Sequence, residues 1–459
     1  MSKNQGSIVS TFLKPTAAFV LGWMPAMAWL VAMPARADVS LQLEVGRHVQ
    51  AKAGASGVPA DRQSTLDVAL SDKSIRVASA DATTVYDFAA RKRWVIDGRT
   101  KTRVDYSLYD TVGFRTYELK NRNTLGAAMS AAKLGDSVMA QVDNEHNLSV
   151  QDKPSAPLQV KTEGAAEVFY AGPNVMFRRG ARLMPASPGE ARMFAQLVRY
   201  TFGGHPQILS ALAQADSIPA QFSLVTYDAG GTTTQTVVVR HVHSNPVPPF
   251  DASAFPLRPA SGSDHPVDQA LDRAAALTPD DMSSARQRSK DELESALREG
   301  RGLDAFLGFY EWTLMTGEAP APLTAEQKQL IQTNDAVRRL TGALSAKSKD
   351  ALTQAIADLA DIGKSTTTKT HMLRIFEANN RAMLGERGAA QQLFVEVLKS
   401  HPFIAGAYKD LGDTLFVEYD TPRAWRCWDI GRKMAPGFAN FRAIQQFESS
   451  LAARHPEFF

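Results

Sequence analysis

Two adjacent stretches near the C-terminus share a period of 34 residues: HMLRIFEANNRAMLGERGAAQQLFVEVLKSHPFI over 371–404 and AGAYKDLGDTLFVEYDTPRAWRCWDIGRKMAPGF over 405–438. Small, aromatic and proline positions recur at this offset: Ala390, Phe394 and Pro402 correspond to Ala424, Trp428 and Pro436. Small residues let paired helices approach closely, and a proline ends the second helix of each pair. The period therefore predicts two successive helical hairpins.

This pattern resembles the tetratricopeptide repeat (TPR). The match is clear over 405–438, where Leu411-Gly412 stands at the expected distance before Ala424, and partial over 371–404, where Glu377-Ala378 replaces the Leu-Gly pair. The resemblance implies a stacked helical array that binds a protein or peptide partner. Residues 267–370 are helical and repeat-like, and 439–459 are expected to form a capping helix and tail.

The TPR resemblance also implies which side chains face a partner, because these lie on the first helix of each repeat. Carried over by position, they are Ile375, Asn379 and Met383 in the first repeat and Lys409, Asp413 and Val417 in the second. Asn379 and Lys409 are donors of the kind that hold a peptide backbone or a terminal carboxylate. A solvated polar face is the alternative interpretation.

The N-terminus has the pattern of a secretory signal peptide. An apolar run over 17–33 precedes Ala35-Arg36-Ala37, which predicts cleavage after Ala37. A retained membrane anchor is the alternative, but the run is short for a membrane span. Cleavage leaves a chain with no predicted integral membrane span. With a single cysteine, no intramolecular disulfide can form, and we expect a periplasmic or secreted bacterial protein.

Charge excludes one class of partner. Removing the three basic residues of 1–37 from the 51 in the chain leaves 48, which equals the 48 acidic residues. A balanced chain lacks the basic surface that nucleic-acid binding requires. We therefore expect no nucleic-acid partner.

Residues 38–244 carry strand-like alternation of apolar and polar residues. In TTVYDFAARKRWVIDGRTKTRVDY, over 83–106, short strands alternate with polar turns, and the prolines and paired phenylalanines of NPVPPFDASAFPL, over 245–257, follow the last strand. Residues 245–266 are a proline-rich linker or sheet-closing loop. This order of parts, over 38–260, resembles LolA-like domains. The resemblance implies an open antiparallel half-barrel with an apolar cavity that holds acyl chains; a generic antiparallel sheet is the alternative.

The fold class is therefore α+β and multi-domain, with an N-terminal LolA-like half-barrel and a helical TPR-like domain. Aromatic residues are dense in the strand region, and an incompletely covered sheet face would make them a ligand cavity. The candidates for an apolar cavity are Tyr86, Phe88, Trp94, Tyr106 and Phe114. Ordinary core packing is the competing interpretation.

Catalytic and metal patterns are weak. His241 and His243 would point the same way from a strand, but two zinc ligands need further partners, such as His205 or His265, that nothing in the sequence brings close. Cys427 lies between Trp425 and Trp428, a setting for a small buried side chain rather than a nucleophile. We expect no cofactor, no metal and no enzymatic activity.

These observations favour an exported, non-catalytic binding protein that uses its repeats to bind a protein or peptide. The alternative is a periplasmic carrier of a lipid, acyl ligand or lipoprotein that uses a cavity in the β domain.

Overall fold

A computed structural model describes residues 38–51, 61–131, 149–151, 157–227, 231–243, 247–366 and 368–459. The predicted signal peptide, 1–37, and a strand predicted at 137–142 lie outside these ranges. The described residues confirm the predicted α+β class: a large antiparallel sheet comes first and a helical part follows.

Eleven strands form one antiparallel sheet, in the order β6-β5-β4-β3-β2-β1-β13-β12-β9-β8-β7, and among the described strands this sheet does not close into a barrel. A further pair, β10 and β11, forms a small separate sheet. The strands are β1 Val39–Ala51, β2 Arg62–Leu70, β3 Ser74–Ala78, β4 Ala82–Asp87, β5 Lys92–Asp97, β6 Arg103–Ser107, β7 Gln159–Glu163, β8 Ala166–Ala171, β9 Asn174–Arg179, β10 Leu183–Pro185, β11 Ser217–Pro219, β12 Gln221–Tyr227 and β13 Gly231–His243.

Fourteen α-helices lie within the described residues, and none of them is long and apolar enough to cross a membrane. They are α1 Tyr109–Ala131, α2 Pro188–Thr201, α3 Pro206–Ala213, α4 Pro266–Ala275, α5 Pro279–Arg298, α6 Gly302–Thr316, α7 Ala325–Gln332, α8 Asp335–Leu344, α9 Lys349–Ile362, α10 Thr370–Met383, α11 Arg387–Ser400, α12 Ala405–Val417, α13 Thr421–Met434 and α14 Arg442–Arg454.

The middle of the sheet's inner face is filled by α2. Ser187 caps this helix in a capping box with Glu190, and Pro188 occupies its first turn. Phe194 of α2 packs edge-to-face on Phe222 of β12, with ring centroids 5.9 Å apart, and both side chains are buried. The face of the sheet that α2 covers is therefore a packed core at its centre.

The predicted helical hairpins are present. Helices α10 and α11 lie in 371–404 to within one residue, and α12 and α13 lie within 405–438. Close approach explains the Leu-Gly pair of the second repeat: a Cβ added at Gly412 would stand 2.4 Å from Nε1 of Trp428. A small residue at this position lets the two helices of the hairpin touch.

One of the contacts between the sheet region and the helical part is especially tight. Helix α1, which follows β6 closely, crosses α13 where Gly113 meets Trp425, and a Cβ added at Gly113 would stand 2.2 Å from Cη2 of the indole. Trp425 is fully buried, and its Nε1 donates a hydrogen bond to Oε1 of Glu448 on α14 at 3.0 Å. The position of α14 relative to the sheet thus depends on a glycine in α1.

We expect Gly113→Ala to lower the free energy of unfolding by about 1–3 kcal/mol, because the added methyl group overpacks against Trp425. Gly126→Ala in the same helix is the matched control, since no described atom lies within 4 Å of its added Cβ. That control should be neutral or stabilising by up to about 1 kcal/mol, because alanine favours helix over glycine. Urea denaturation measures both, and equal stability of the two variants would contradict the proposed role of Gly113.

Candidate functional site

A cavity of about 680 Å³ lies along α2, between α2, α3 and the segment 454–459. This volume lies within the range of about 300–1,000 Å³ that is typical of small-ligand sites. We call it the rim cavity. Its apolar lining comprises Phe88, Met193, Ala195, Pro206, Ala213, Pro456 and Phe459, and its polar lining comprises Asp72, Gln151, Arg192, Gln196, Arg199, Ser210, Arg454, His455 and Glu457.

A sharp break between α2 and α3 shapes one wall. Gly203 and Gly204 adopt positive φ angles of 82° and 122°, which favour glycine. His205 then caps α3, because its Nδ1 accepts a hydrogen bond from the backbone N–H of Gln207 at 3.2 Å. This turn places Ser210 and Met193 on walls of the same cavity.

The opposite wall is the segment 455–459, which side chains of α2 hold in place. Gln196 and Arg199 donate hydrogen bonds to the carbonyl of Glu457, and the Tyr200 hydroxyl donates to the carbonyl of Phe458 at 2.7 Å. The ring of Phe459 lies 4.9 Å from that of Tyr109. The wall is therefore fixed by interactions with both α2 and α1.

The rim cavity combines apolar surface with positive charge. Arg192 and Arg454 are exposed at its mouth, whereas Arg199 is 9 % exposed and its Nε has no hydrogen-bond partner among the described residues. Burial lowers the pKa of Arg199, but a guanidinium stays charged. Three arginines face two carboxylates, those of Asp72 and Glu457. Such a lining suits an amphiphile with an apolar chain and an anionic head group.

Sequence reasoning missed this cavity, except for Phe88. Apart from Asp72 and Gln151, the other cavity residues come from α2, α3 and the last six residues, and those last six lie more than 200 positions from α2 and α3. Arg192 and Arg454 stand in ordinary amphipathic helices, so no local pattern distinguishes them.

The five predicted cavity aromatics do not surround one opening. Tyr86 and Phe88 pack on Tyr200 at the inner face, with ring centroids 4.8 and 5.9 Å from it. The other three lie apart from this contact: Tyr106 stacks under Arg93, Trp94 packs on Phe250 on the outer face, and Phe114 meets Tyr419 beside α1.

Trp94 does not share a cavity with Tyr86, and the register of the strands explains why. In the β4–β5 ladder, Trp94 pairs with Val85 while Arg93 pairs with Tyr86. Because alternate residues of a strand point to opposite faces, Trp94 and Tyr86 lie on opposite sides of the sheet. The segment that contains Phe250 covers the outer side.

The six predicted partner-facing residues divide into three groups. Met383 and Val417, which occupy equivalent repeat positions, are 59 % and 40 % exposed. Ile375 is only 1 % exposed and belongs to the helical core. Three are engaged within the chain: Asn379 donates to Asp410 at 3.0 Å, and Lys409 pairs with Asp413.

The histidine and cysteine candidates have structural roles where the structure describes them. His205 and His265 cap α3 and α4, while His243 is exposed on β13 and the side chain of His241 is outside the described part. No group of three potential metal ligands occurs among the described residues. Cys427 is buried, and burial raises the pKa of its thiol, which makes it a poor nucleophile.

A buried polar cluster in the helical part connects α5 and α6 to the first repeat. The Glu311 carboxylate forms a hydrogen bond with Nε2 of His371 at 2.6 Å. It also accepts hydrogen bonds from Lys369 at 2.5 Å and Ser289 at 3.0 Å. Burial opposes ionisation of Glu311, but the His371 hydrogen bond and the Lys369 charge outweigh it and hold its pKa at about 2. The cluster satisfies its own polar groups, as a structural network does.

Comparisons with known proteins give little further information. No protein-family profile matches the chain, and no curated protein is significantly similar to it. One solved structure, described as lipid–protein interactions in lipovitellin, aligns over 90 % of this chain at 9 % identity with a TM-score of 0.19. The chain spans about half, 54 %, of that chain's length. A TM-score this low carries no argument about fold or function.

Proposed function

We propose that this protein is an exported, non-catalytic carrier of a long-chain amphiphile with an anionic head group. The rim cavity is the observation that carries the proposal, because its size, its apolar walls and its excess of arginines fit such a ligand. The apolar chain would lie against Met193 and Phe459, and the head group would meet Arg192 and Arg454 at the mouth.

The sheet supports this function by holding the cavity open. The packed centre of the half-barrel keeps α2 rigid, and a rigid wall reduces the ordering cost of binding. The ligand therefore occupies the rim of the half-barrel and not its centre, which Phe194 and its neighbours fill. Export rests on the signal-like N-terminus, and carriage without chemistry is consistent with a buried, protonated Cys427.

Binding of dansyl-labelled undecanoic acid, followed by fluorescence, tests the carrier proposal. We expect saturable binding by the wild type and a loss of about tenfold or more in Ser210→Trp, because the indole fills the cavity and displaces several buried methylene groups. Ala211→Trp, on the adjacent exposed position of α3, is the matched control and should bind as the wild type does. Equal affinity of both variants would contradict the proposed site.

The same titration tests the role of charge. Arg192→Gln combined with Arg454→Gln should weaken binding of the acid about fivefold, the effect of about 1 kcal/mol of lost ionic interaction, and leave binding of its methyl ester unchanged. Arg298→Gln combined with Arg442→Gln removes two exposed arginines elsewhere and serves as the control. An equal loss for acid and ester would rule out a head-group role.

Protein or peptide binding by the repeats is a second candidate function. The observation that favours it is the exposure of Met383 and Val417, two apolar side chains at equivalent positions of successive repeats. Equivalent positions of successive repeats lie on the same side of a stacked array, and such arrays bind partners on extended surfaces of this kind. The two functions are compatible, since a carrier needs a surface on which to dock.

Crosslinking in cells of the native host, followed by purification, tests this second function. The double variant Met383→Glu and Val417→Glu should abolish at least one specific crosslinked species, because charge replaces apolar contact area. Val160→Glu, at a position that is 54 % exposed on β7, is the control with a similar change of surface. An identical crosslinking pattern for all three proteins would exclude a partner at these positions.

A further inference from the structure

A second cavity, of about 240 Å³, shares no lining residue with the rim cavity and is built differently. It is enclosed by the ends of β5 and β6, by Leu257 and Arg258 after the proline-rich segment, and by one face each of α4 and α13. We call it the junction cavity, because it lies where the edge of the sheet meets the helical part. Neither the repeat pattern nor the strand pattern points to it.

Cations outnumber anions in its lining. The five cationic side chains are Lys92, Arg103, Arg258, Arg426 and Lys433, and the three carboxylates are Asp105, Asp272 and Asp429. Two positive charges are therefore in excess. Asp268, behind the wall, accepts hydrogen bonds from Arg423 at 3.1 and 2.9 Å and also from Nη1 of Arg426 at 2.9 Å, so its charge is shared between Arg423 and one of the lining cations.

Several N–H groups of these cations have no hydrogen-bond acceptor within the described residues. Nη2 of Arg258 is buried with no hydrogen-bond partner among the described residues, and Oδ2 of Asp268 lies 3.8 Å from it. The ammonium group of Lys92 donates to Asp429 at 2.6 Å and that of Lys433 donates to the carbonyls of Ala275 and Leu277, both at 3.2 Å. Each ammonium group has three N–H donors, so both retain unused ones.

The remaining walls are apolar, formed by Val104, Leu257, Ala275 and Ile430. Apolar walls lower the local dielectric constant, which strengthens the interaction of a bound charge with nearby cations. Two excess charges and several free N–H groups match the charge and the acceptors of a phosphate dianion.

We propose that the junction cavity is a binding site for a small phosphate-type anion, either free phosphate or the phosphate group of a phosphomonoester. The ammonium groups of Lys92 and Lys433 are the donors to it, and the guanidinium groups of Arg258 and Arg426 add positive charge to the lining. The anion would connect β5, the end of the proline-rich segment and α13, so its binding would hold the sheet edge to the helical part. This site is independent of the carrier function.

Isothermal titration of the full chain with inorganic phosphate, at constant ionic strength set by chloride, tests the site. The wild type should bind one phosphate saturably, and Lys433→Gln should weaken binding about fivefold, as expected for the loss of one charged donor. Lys399→Gln is the matched control, because Lys399 occupies the same position one repeat earlier and is exposed. It should bind phosphate as the wild type does.

Lys92→Gln provides a second variant on the opposite wall, and circular dichroism establishes that each variant is folded. It too should weaken phosphate binding about fivefold. No saturable binding by the wild type, or equal affinity of the wild type, Lys433→Gln and Lys92→Gln, overturns the proposal. Phenyl phosphate distinguishes the ligand sources: tighter binding than that of phosphate supports a phosphomonoester held by the apolar walls, and equal or weaker binding supports free phosphate.

Discussion

The contact between Gly113 and Trp425 is the constraint on which the rest of the structure depends. It sets how closely α13 approaches α1, and α1 is joined to the edge strand β6 by a single residue. Through the Trp425–Glu448 hydrogen bond it also positions α14, and α14 delivers the segment 455–459 to α2. Both cavities follow from this arrangement: the junction cavity borders α13, and the rim cavity has the end of α14 as a wall.

The sequence predicted best those elements whose packing is determined by residues close together in the chain. The repeat pattern predicted α10 to α13 nearly to the residue, because small and aromatic residues at fixed offsets determine how hairpins pack. The individual strands were less evident: β9, β10 and β11 are short and lack clear alternation. Helix boundaries within 267–370 were also not evident from the sequence, since Asn334 caps α8 and separates it from α7. A capping asparagine within an apolar period is a weak signal against a continuing helix.

The candidate sites were much less predictable, for a physical reason. A cavity is defined by side chains that do not fill space, and its lining comes from segments that meet only after folding. Phe88, Arg192 and Arg454 are unremarkable in sequence, and they line one cavity because α2 and α14 meet at the sheet rim. The predicted aromatics were selected by density along the chain, but strand register divided Trp94 from Tyr86.

Occupation of the rim cavity by an acyl chain is the central claim, and locating a bound ligand tests it most directly. A crystal of the protein soaked with a fatty acid that carries bromine on its chain would reveal the chain by anomalous scattering. We predict a bromine peak between Met193 and Phe459, with the carboxylate toward Arg192 and Arg454. The absence of a peak at saturating ligand, or a peak only at another place on the protein, would contradict the account.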